Sequence, residues 1–251
     1  MLKAEIKEIT MKTAEGKKLI LNDVNFKLGE NQIFTIVGKN GTGKSTLAKS
    51  ITGLLDSYTY SVIGKVYFKG SDIFTMEEEK LLLLRKDSIK YVFQDAANSF
   101  DPLKKLKYYF ELLTKDRNEI DDLLSYFVLP DKSKLYDMHA YEVSGGMAQR
   151  INFVLILLSK PEIIILDEPT SGIDSAIANL FLLKLKEFVK QNKNSVLLIT
   201  QDILFAEKVS DKIAYLADKK LSSFYNVNEF FNKKDDPLLT KFLNAKNQIE
   251  V

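Results

Sequence analysis

The sequence predicts an α/β fold: a phosphate-loop core with a mostly parallel sheet, an N-terminal antiparallel β subdomain and an inserted helical subdomain. Three observations carry this prediction. Gly38-Lys39-Asn40-Gly41-Thr42-Gly43-Lys44-Ser45-Thr46 fits the pattern G-x-x-x-x-G-K-[ST] and sits between a strand-like run at 33–37 and a helical start at 47–51. From residue 148 onward short apolar runs alternate with helical segments, the rhythm of a parallel sheet covered by helices. The first 35 residues instead alternate apolar and polar positions, which reads as hairpin strands.

Along the chain, Ala4, Ile6, Leu19, Leu21, Val24, Phe26 and Leu28 mark the apolar face of the hairpin, with Gly16 and Gly29 as punctuation. A further strand is expected at 64–68, ending in the turn Lys69-Gly70-Ser71-Asp72, then a helix at 76–86 and a strand at 89–93. Between 96 and 141 the spacing turns helical, with runs at 106–113 and 120–127, the second closed by Pro130. The strand–helix rhythm resumes with helix 148–158, strand 163–166, helix 176–191, strand 196–200 and helix 203–209. The expected organisation is one domain over 1–251. Its core and β subdomain occupy 1–95 and 148–251, and the helical subdomain occupies 96–147.

Composition narrows the function classes. At 251 residues, 45% hydrophobic and 28% charged, the chain can bury a sizeable core and remain soluble. Thirty-six basic against 34 acidic residues leave a net charge of +2, which gives no sign of a nucleic-acid partner. The absence of cysteine excludes disulfides and thiolate metal sites and suits a reducing cytoplasm. Met1-Leu2-Lys3-Ala4-Glu5-Ile6-Lys7 has no apolar run, so no signal peptide is expected. The greasiest segment, 153–166, is interrupted by Ser159-Lys160-Pro161-Glu162 and reads as a buried helix followed by a buried strand. Membrane contact is therefore expected only through a partner.

The glycine-rich loop points to a nucleoside triphosphate. Its glycines let backbone N–H groups converge on a polyphosphate, Lys44 offers a point charge to the β- and γ-phosphates, and Ser45 offers a hydroxyl to Mg²⁺. Helix 47–51 would aim its positive end at the same anion. Ile163-Ile164-Ile165-Leu166-Asp167-Glu168 is an apolar strand ending in two carboxylates, where ligands of open α/β sheets gather. There Asp167 would hold the metal and Glu168 would polarise the water attacking the γ-phosphate. Read alone, the pair is equally an acidic turn. Ser144-Gly145-Gly146 supplies an N-cap and two bare glycines at a second helix start. That start is either an ordinary capped helix or an anion site completing a neighbour's active site.

The order of these motifs resembles the nucleotide-binding subunit of an ABC transporter: the loop at 38–46, Gln94 after a strand, Ser144-Gly145-Gly146, Asp167-Glu168, and Ser171-Gly172-Ile173-Asp174. Phe93-Gln94-Asp95 with Asn98-Ser99-Phe100-Asp101-Pro102, Met147 and the tail Asp236-Pro237-Leu238-Leu239-Thr240-Lys241 resemble the oligopeptide, dipeptide and nickel or metal-chelate importer branch. The resemblance implies a RecA-like core and two subunits packed head to tail, with ATP and Mg²⁺ between the loop of one and Ser144 of the other. It assigns Gly38, Asn40, Gly41, Thr42, Gly43, Lys44, Ser45 and Thr46 to the nucleotide, with Ser144, Gly145, Gly146 and Asp174 acting across the dimer. Ser45, Gln94 and Asp167 would hold the metal, and Glu168, Gln94 and position 201 would serve hydrolysis. The region 93–107 would receive a cytoplasmic helix of a transmembrane permease. An extracellular binding protein would select cargo, and the chain would sit peripherally on the cytoplasmic face of the membrane.

Three departures from the family pattern stand out. Leu198-Ile199-Thr200-Gln201-Asp202 places Gln201 where the family carries a histidine, and the single histidine, His139, is expected in a surface loop. An amide donates a hydrogen bond but carries no charge, so hydrolysis at this chain's own loop is expected to be weakened and a different, related ATPase is the expected partner. The alternative is an ATP-gated dimerisation subunit with little turnover. No aromatic residue lies between Met1 and Leu21 to stack on adenine, leaving Met11 or an aliphatic stem. The short, cysteine-free tail tilts the cargo expectation toward metals.

Overall fold

A computed structural model describes residues 1–92, 99–113, 116–170, 173–233 and 235–240. Gln94, the rest of 93–98, Ser171, Gly172 and Lys241 lie outside the described residues.

Strands β1 (Leu2–Thr13) and β2 (Gly16–Leu28) form the expected hairpin, in register from Leu2 opposite Leu28 to Thr13 opposite Gly16. Leu2, Ala4, Ile6 and Ile9 point inward along β1, as a half-buried antiparallel strand requires. The chain then runs through β3 (Ile33–Val37), α1 (Lys44–Ile51), β4 (Tyr60–Phe68), β5 (Ser71–Asp72), α2 (Glu78–Asp87) and β6 (Ile89–Val92). Strand β4 starts earlier than the sequence suggests and pairs antiparallel with β1, giving a sheet of order β2-β1-β4-β5.

Helices α3 (Leu106–Leu113), α4 (Arg117–Tyr126) and α5 (Lys132–Leu135) follow, then α6 (Gly145–Leu158), β7 (Ile163–Asp167), α7 (Ser175–Val189), β8 (Ser195–Thr200) and α8 (Ile203–Val209). Strand β9 (Lys212–Ala217), β10 (Lys220–Leu221), β11 (Tyr225–Asn226) and α9 (Val227–Asn232) complete the described chain. Among the described residues the second sheet has the order β10-β9-β3-β8-β7-β6, with β11 on β9. Strands β9, β3, β8, β7 and β6 run parallel.

Strand β7 is buried along its whole length because both faces of this sheet are covered. Ile163 and Ile165 pack with the β1–β2 hairpin and α1, whereas Ile164 and Leu166 pack with α6, α7 and the helices before them. The second cluster runs without a break from Phe110, Ile120 and Phe127 through Phe153 and Phe181 to Leu198. Helices α3–α5 therefore share one core with the sheet, and α6 runs continuously across the 147/148 boundary.

Candidate active site

Parallel β3, β8 and β7 lie side by side with Val37 opposite Thr200 and Asp167 opposite Ile199. The segments that leave them therefore emerge at one sheet edge, where α/β folds collect ligands. The glycine-rich loop leaves β3 and turns into α1 at Gly43, whose φ of +98° is left-handed. A Cβ there would also lie 3.1 Å from the Ile20 and Leu21 side chains. At Gly38 a Cβ would lie 2.6 Å from the Leu216 carbonyl oxygen. Only glycine suits either position. No side chain caps α1, so its first-turn N–H groups are open to an external acceptor. A cavity of about 430 Å³ opens there, lined by Asn40, Gly41 and Gly43–Thr46 of the loop and by Ile20, Glu168 and Gln201.

The charges in this cavity hold one another. Lys44 Nζ donates to the carbonyls of Gly38 at 2.8 Å and Lys39 at 3.1 Å, and lies 3.5 Å from Glu168 Oε1. Both side chains are nearly buried, 6% and 11% exposed. Glu168 Oε2 accepts from Thr200 Oγ1 at 3.1 Å and from the Gln201 backbone N–H at 3.2 Å. Its Oε1 is buried without a hydrogen-bond partner, an acceptor left open beside the cavity. Glu168 sits at φ +50°, a left-handed conformation that costs a β-carbon residue about 1–2 kcal/mol, and its N–H reaches the Ile199 carbonyl at 2.8 Å.

Beside it, Asp167 Oδ1 accepts from Ser45 Oγ at 3.0 Å and Oδ2 from the Tyr91 hydroxyl at 2.7 Å. Burial, and then the Asp167 charge, push the Tyr91 phenol well above its ordinary range, so it stays a proton donor. Among the described residues no cluster of three or more His, Cys, Asp or Glu could cage a metal. One carboxylate, one hydroxyl and room for phosphate oxygens form instead an oxygen-only donor set that suits Mg²⁺, which keeps waters and takes few protein ligands.

Not every predicted residue meets in this cavity. Thr42 Oγ1 turns back to the Lys39 carbonyl at 2.9 Å. Ser144 N-caps α6, accepting from the Met147 N–H at 3.2 Å, and both Ser144 and Gly145 are exposed. Gly146 lies beside Ile173, the residue before Asp174. Asp174 is exposed and N-caps α7 through the Ile177 N–H at 2.9 Å. His139 lies in the partly exposed loop before α6, where it opens a 3₁₀ turn, shares Glu142 through its backbone N–H and its ring, and stacks on Tyr141 at 5.1 Å. Met11 stands opposite Tyr60 and Lys18 in the sheet, whereas Ile20 is the apolar residue of the cavity wall. Ile20 is an aliphatic stem of the kind expected in place of an aromatic, whereas Tyr91 and Thr200 carry no local signal, because each is placed by a neighbouring strand.

The family model described as ABC transporter matches residues 21–171. The chain is similar to the oligopeptide transport ATP-binding protein OppD of Escherichia coli (strain K12), 28% identical over 251 residues, covering 96% of this chain and 74% of OppD. It is equally similar, at 28% over 253 residues, to the dipeptide transport ATP-binding protein DppD of Bacillus subtilis (strain 168), covering 97% of this chain and 76% of DppD. A solved dimeric ATP-binding cassette in a post-hydrolysis state, bound to ADP and Pi, superposes with a TM-score of 0.77 at 25% identity. The alignment covers 90% of this chain and 99% of that one.

Proposed function

The chain belongs to the ABC transporter family and is an ABC-type ATPase, and on that premise we propose that it powers a peptide importer as one of two subunits that clamp ATP. The observation that carries this reading is the cavity where Lys44, Ser45 and Glu168 converge beside the open N-terminus of α1. In it the loop from Gly38 through Asn40, Gly41, Thr42, Gly43, Lys44, Ser45 and Thr46 wraps the phosphates. Lys44 exchanges its carbonyl partners for phosphate oxygens. Ser45 and Asp167, with Gln94, would hold Mg²⁺, which neutralises charge on the β- and γ-phosphoryl oxygens when bound. Glu168 Oε1 accepts the proton of the attacking water, whose oxygen bonds to the γ-phosphorus as the bond to ADP breaks. Thr200 and the Gln201 N–H hold the other oxygen of that carboxylate in place.

Ser144, Gly145, Gly146 and Asp174 serve the nucleotide of the second subunit. That subunit is a different, related ATPase, because Gln201 leaves this chain's own site one charge short of full equipment. Among the described residues no helix is long and apolar enough to cross a membrane. In keeping with its ATP-binding relatives of peptide transport, the subunit works peripherally, on the cytoplasmic face, against permease subunits served by an extracellular binding protein. The relatives named for oligopeptide and dipeptide transport favour peptides over nickel or metal chelates as cargo.

The test is reconstitution of the chain with its permease and partner ATPase in vesicles. ATP hydrolysis should rise when peptide-loaded binding protein is added and should not rise with nickel. Stimulation by nickel alone would replace the cargo assignment, and no coupling to either ligand would favour the dimerisation role.

A further inference from the structure

Tyr91 lies on β6, one strand away from Asp167, and stands opposite Ile165. Its ring packs into the apolar cluster that contains Ile89, Ile163, Ile165 and Leu197, and its hydroxyl reaches forward along β7 to Asp167 Oδ2 at 2.7 Å. Ser45 occupies the other carboxylate oxygen at 3.0 Å. Asp167 is 4% exposed, and among the described residues no lysine, arginine or histidine forms an ion pair with it. Two neutral donors thus hold a buried carboxylate that has no cationic partner among the described residues. The terminal torsion of an aspartate is broad, so one donor on Oδ1 alone would leave the carboxylate free to turn. A second donor on Oδ2, fixed to a different strand and wedged in the core, removes that freedom.

We propose that Tyr91 is a positioning residue for Mg²⁺ binding: its hydroxyl locks the Asp167 carboxylate so that the lone pairs not used by Ser45 and Tyr91 face the cation. The proposal rests on the reading of Asp167 and Ser45 as the metal-holding pair. It adds a group from β6, the strand that leads to Gln94. Outer partners of metal-holding side chains commonly contribute about 10–100-fold to metal affinity, and one hydroxyl belongs at the lower end of that range.

The test is ATP binding to the full chain, titrated with Mg²⁺ and repeated in EDTA, for wild type, Tyr91→Phe, Asp167→Asn and the double variant. Tyr91→Phe keeps the ring in the core and removes the hydroxyl. It should raise the Mg²⁺ concentration for half-maximal enhancement by about tenfold, with ATP affinity in EDTA unchanged. In the Asp167→Asn background, where no buried charge is left unpaired, the same change should have no further effect. Equal weakening with and without Mg²⁺, no weakening at all, or a further shift in the Asp167→Asn background would each overturn the role of Tyr91. If Asp167→Asn itself leaves the Mg²⁺ requirement unchanged, the metal assignment to Asp167 fails instead. Should Tyr91→Phe not fold, Tyr91→Met, which also fills the site without a hydroxyl, takes its place with the same expected shift and the same overturning results.

Discussion

Glu168 and Gln201 divide the work of the cavity between charge and hydrogen bonding. Glu168 is held at Oε2 by Thr200 and the Gln201 backbone, and presents Oε1 beside Lys44 with no hydrogen-bond partner. Glu168→Gln keeps the shape and the Oε2-side acceptor but removes the proposed base. Single-turnover hydrolysis should fall by roughly 100-fold or more while filter-binding affinity for ATP holds. A loss of binding in proportion would mean that Glu168 builds the pocket rather than serving the chemistry. Gln201 lines the same cavity and contributes an amide that cannot become cationic. Gln201→His should raise ATP turnover of the assembled complex by roughly tenfold, and unchanged turnover would show that charge at this position is not limiting.

Helix α1 is held at both ends, by the loop at one and by α2 at the other. Arg85 on α2 donates through Nε to the Thr52 carbonyl at 3.0 Å and through Nη2 to the Gly53 carbonyl, closing the C-terminus of α1. Its guanidinium is driven below its ordinary range, chiefly by burial. Arg85→Met should lower stability by about 1.5–3 kcal/mol, seen as a Tm lower by several degrees, with Mg²⁺-ATP affinity within a factor of two. The loop, α1, β7 and its two carboxylates were legible because glycines, periodicity and an apolar run ending in acids are local signals. Strand β9 was missed: Ile213, Ala214, Tyr215 and Leu216 form a short apolar run directly after α8, where periodicity alone does not separate strand from helix. Only its pairing with β3 fixes it as a strand. The contributions of Tyr91 and Thr200 depend on the order β8-β7-β6, which is a property of the sheet and not of any segment.

At the scale of the whole molecule, the start of α1 opens on the chain's own cavity, whereas the start of α6 does not line it. The start of α6, with Ser144 and Gly145 exposed and open space around Gly145, faces outward. A capped helix end needs no such exposure, and an anion held there must come from outside the chain. In the proposed sandwich that anion is the γ-phosphate of the partner's ATP, so nucleotide binding and subunit association are one equilibrium. Hydrolysis then releases the subunits by removing the group both bind. The Glu168→Gln subunit mixed with its partner should sediment as a dimer with Mg²⁺-ATP and as separate subunits without it. Ser144→Arg should abolish the dimer through bulk at the seam, while losing only about 1 kcal/mol of fold stability with the cap. Mixed with ATP but without the partner, this chain should dimerise weakly, because the charge missing at Gln201 is then missing at both sites. Stable homodimers with full turnover would refute the two-chain arrangement, and ATP-driven dimers that survive Ser144→Arg would move the seam away from α6.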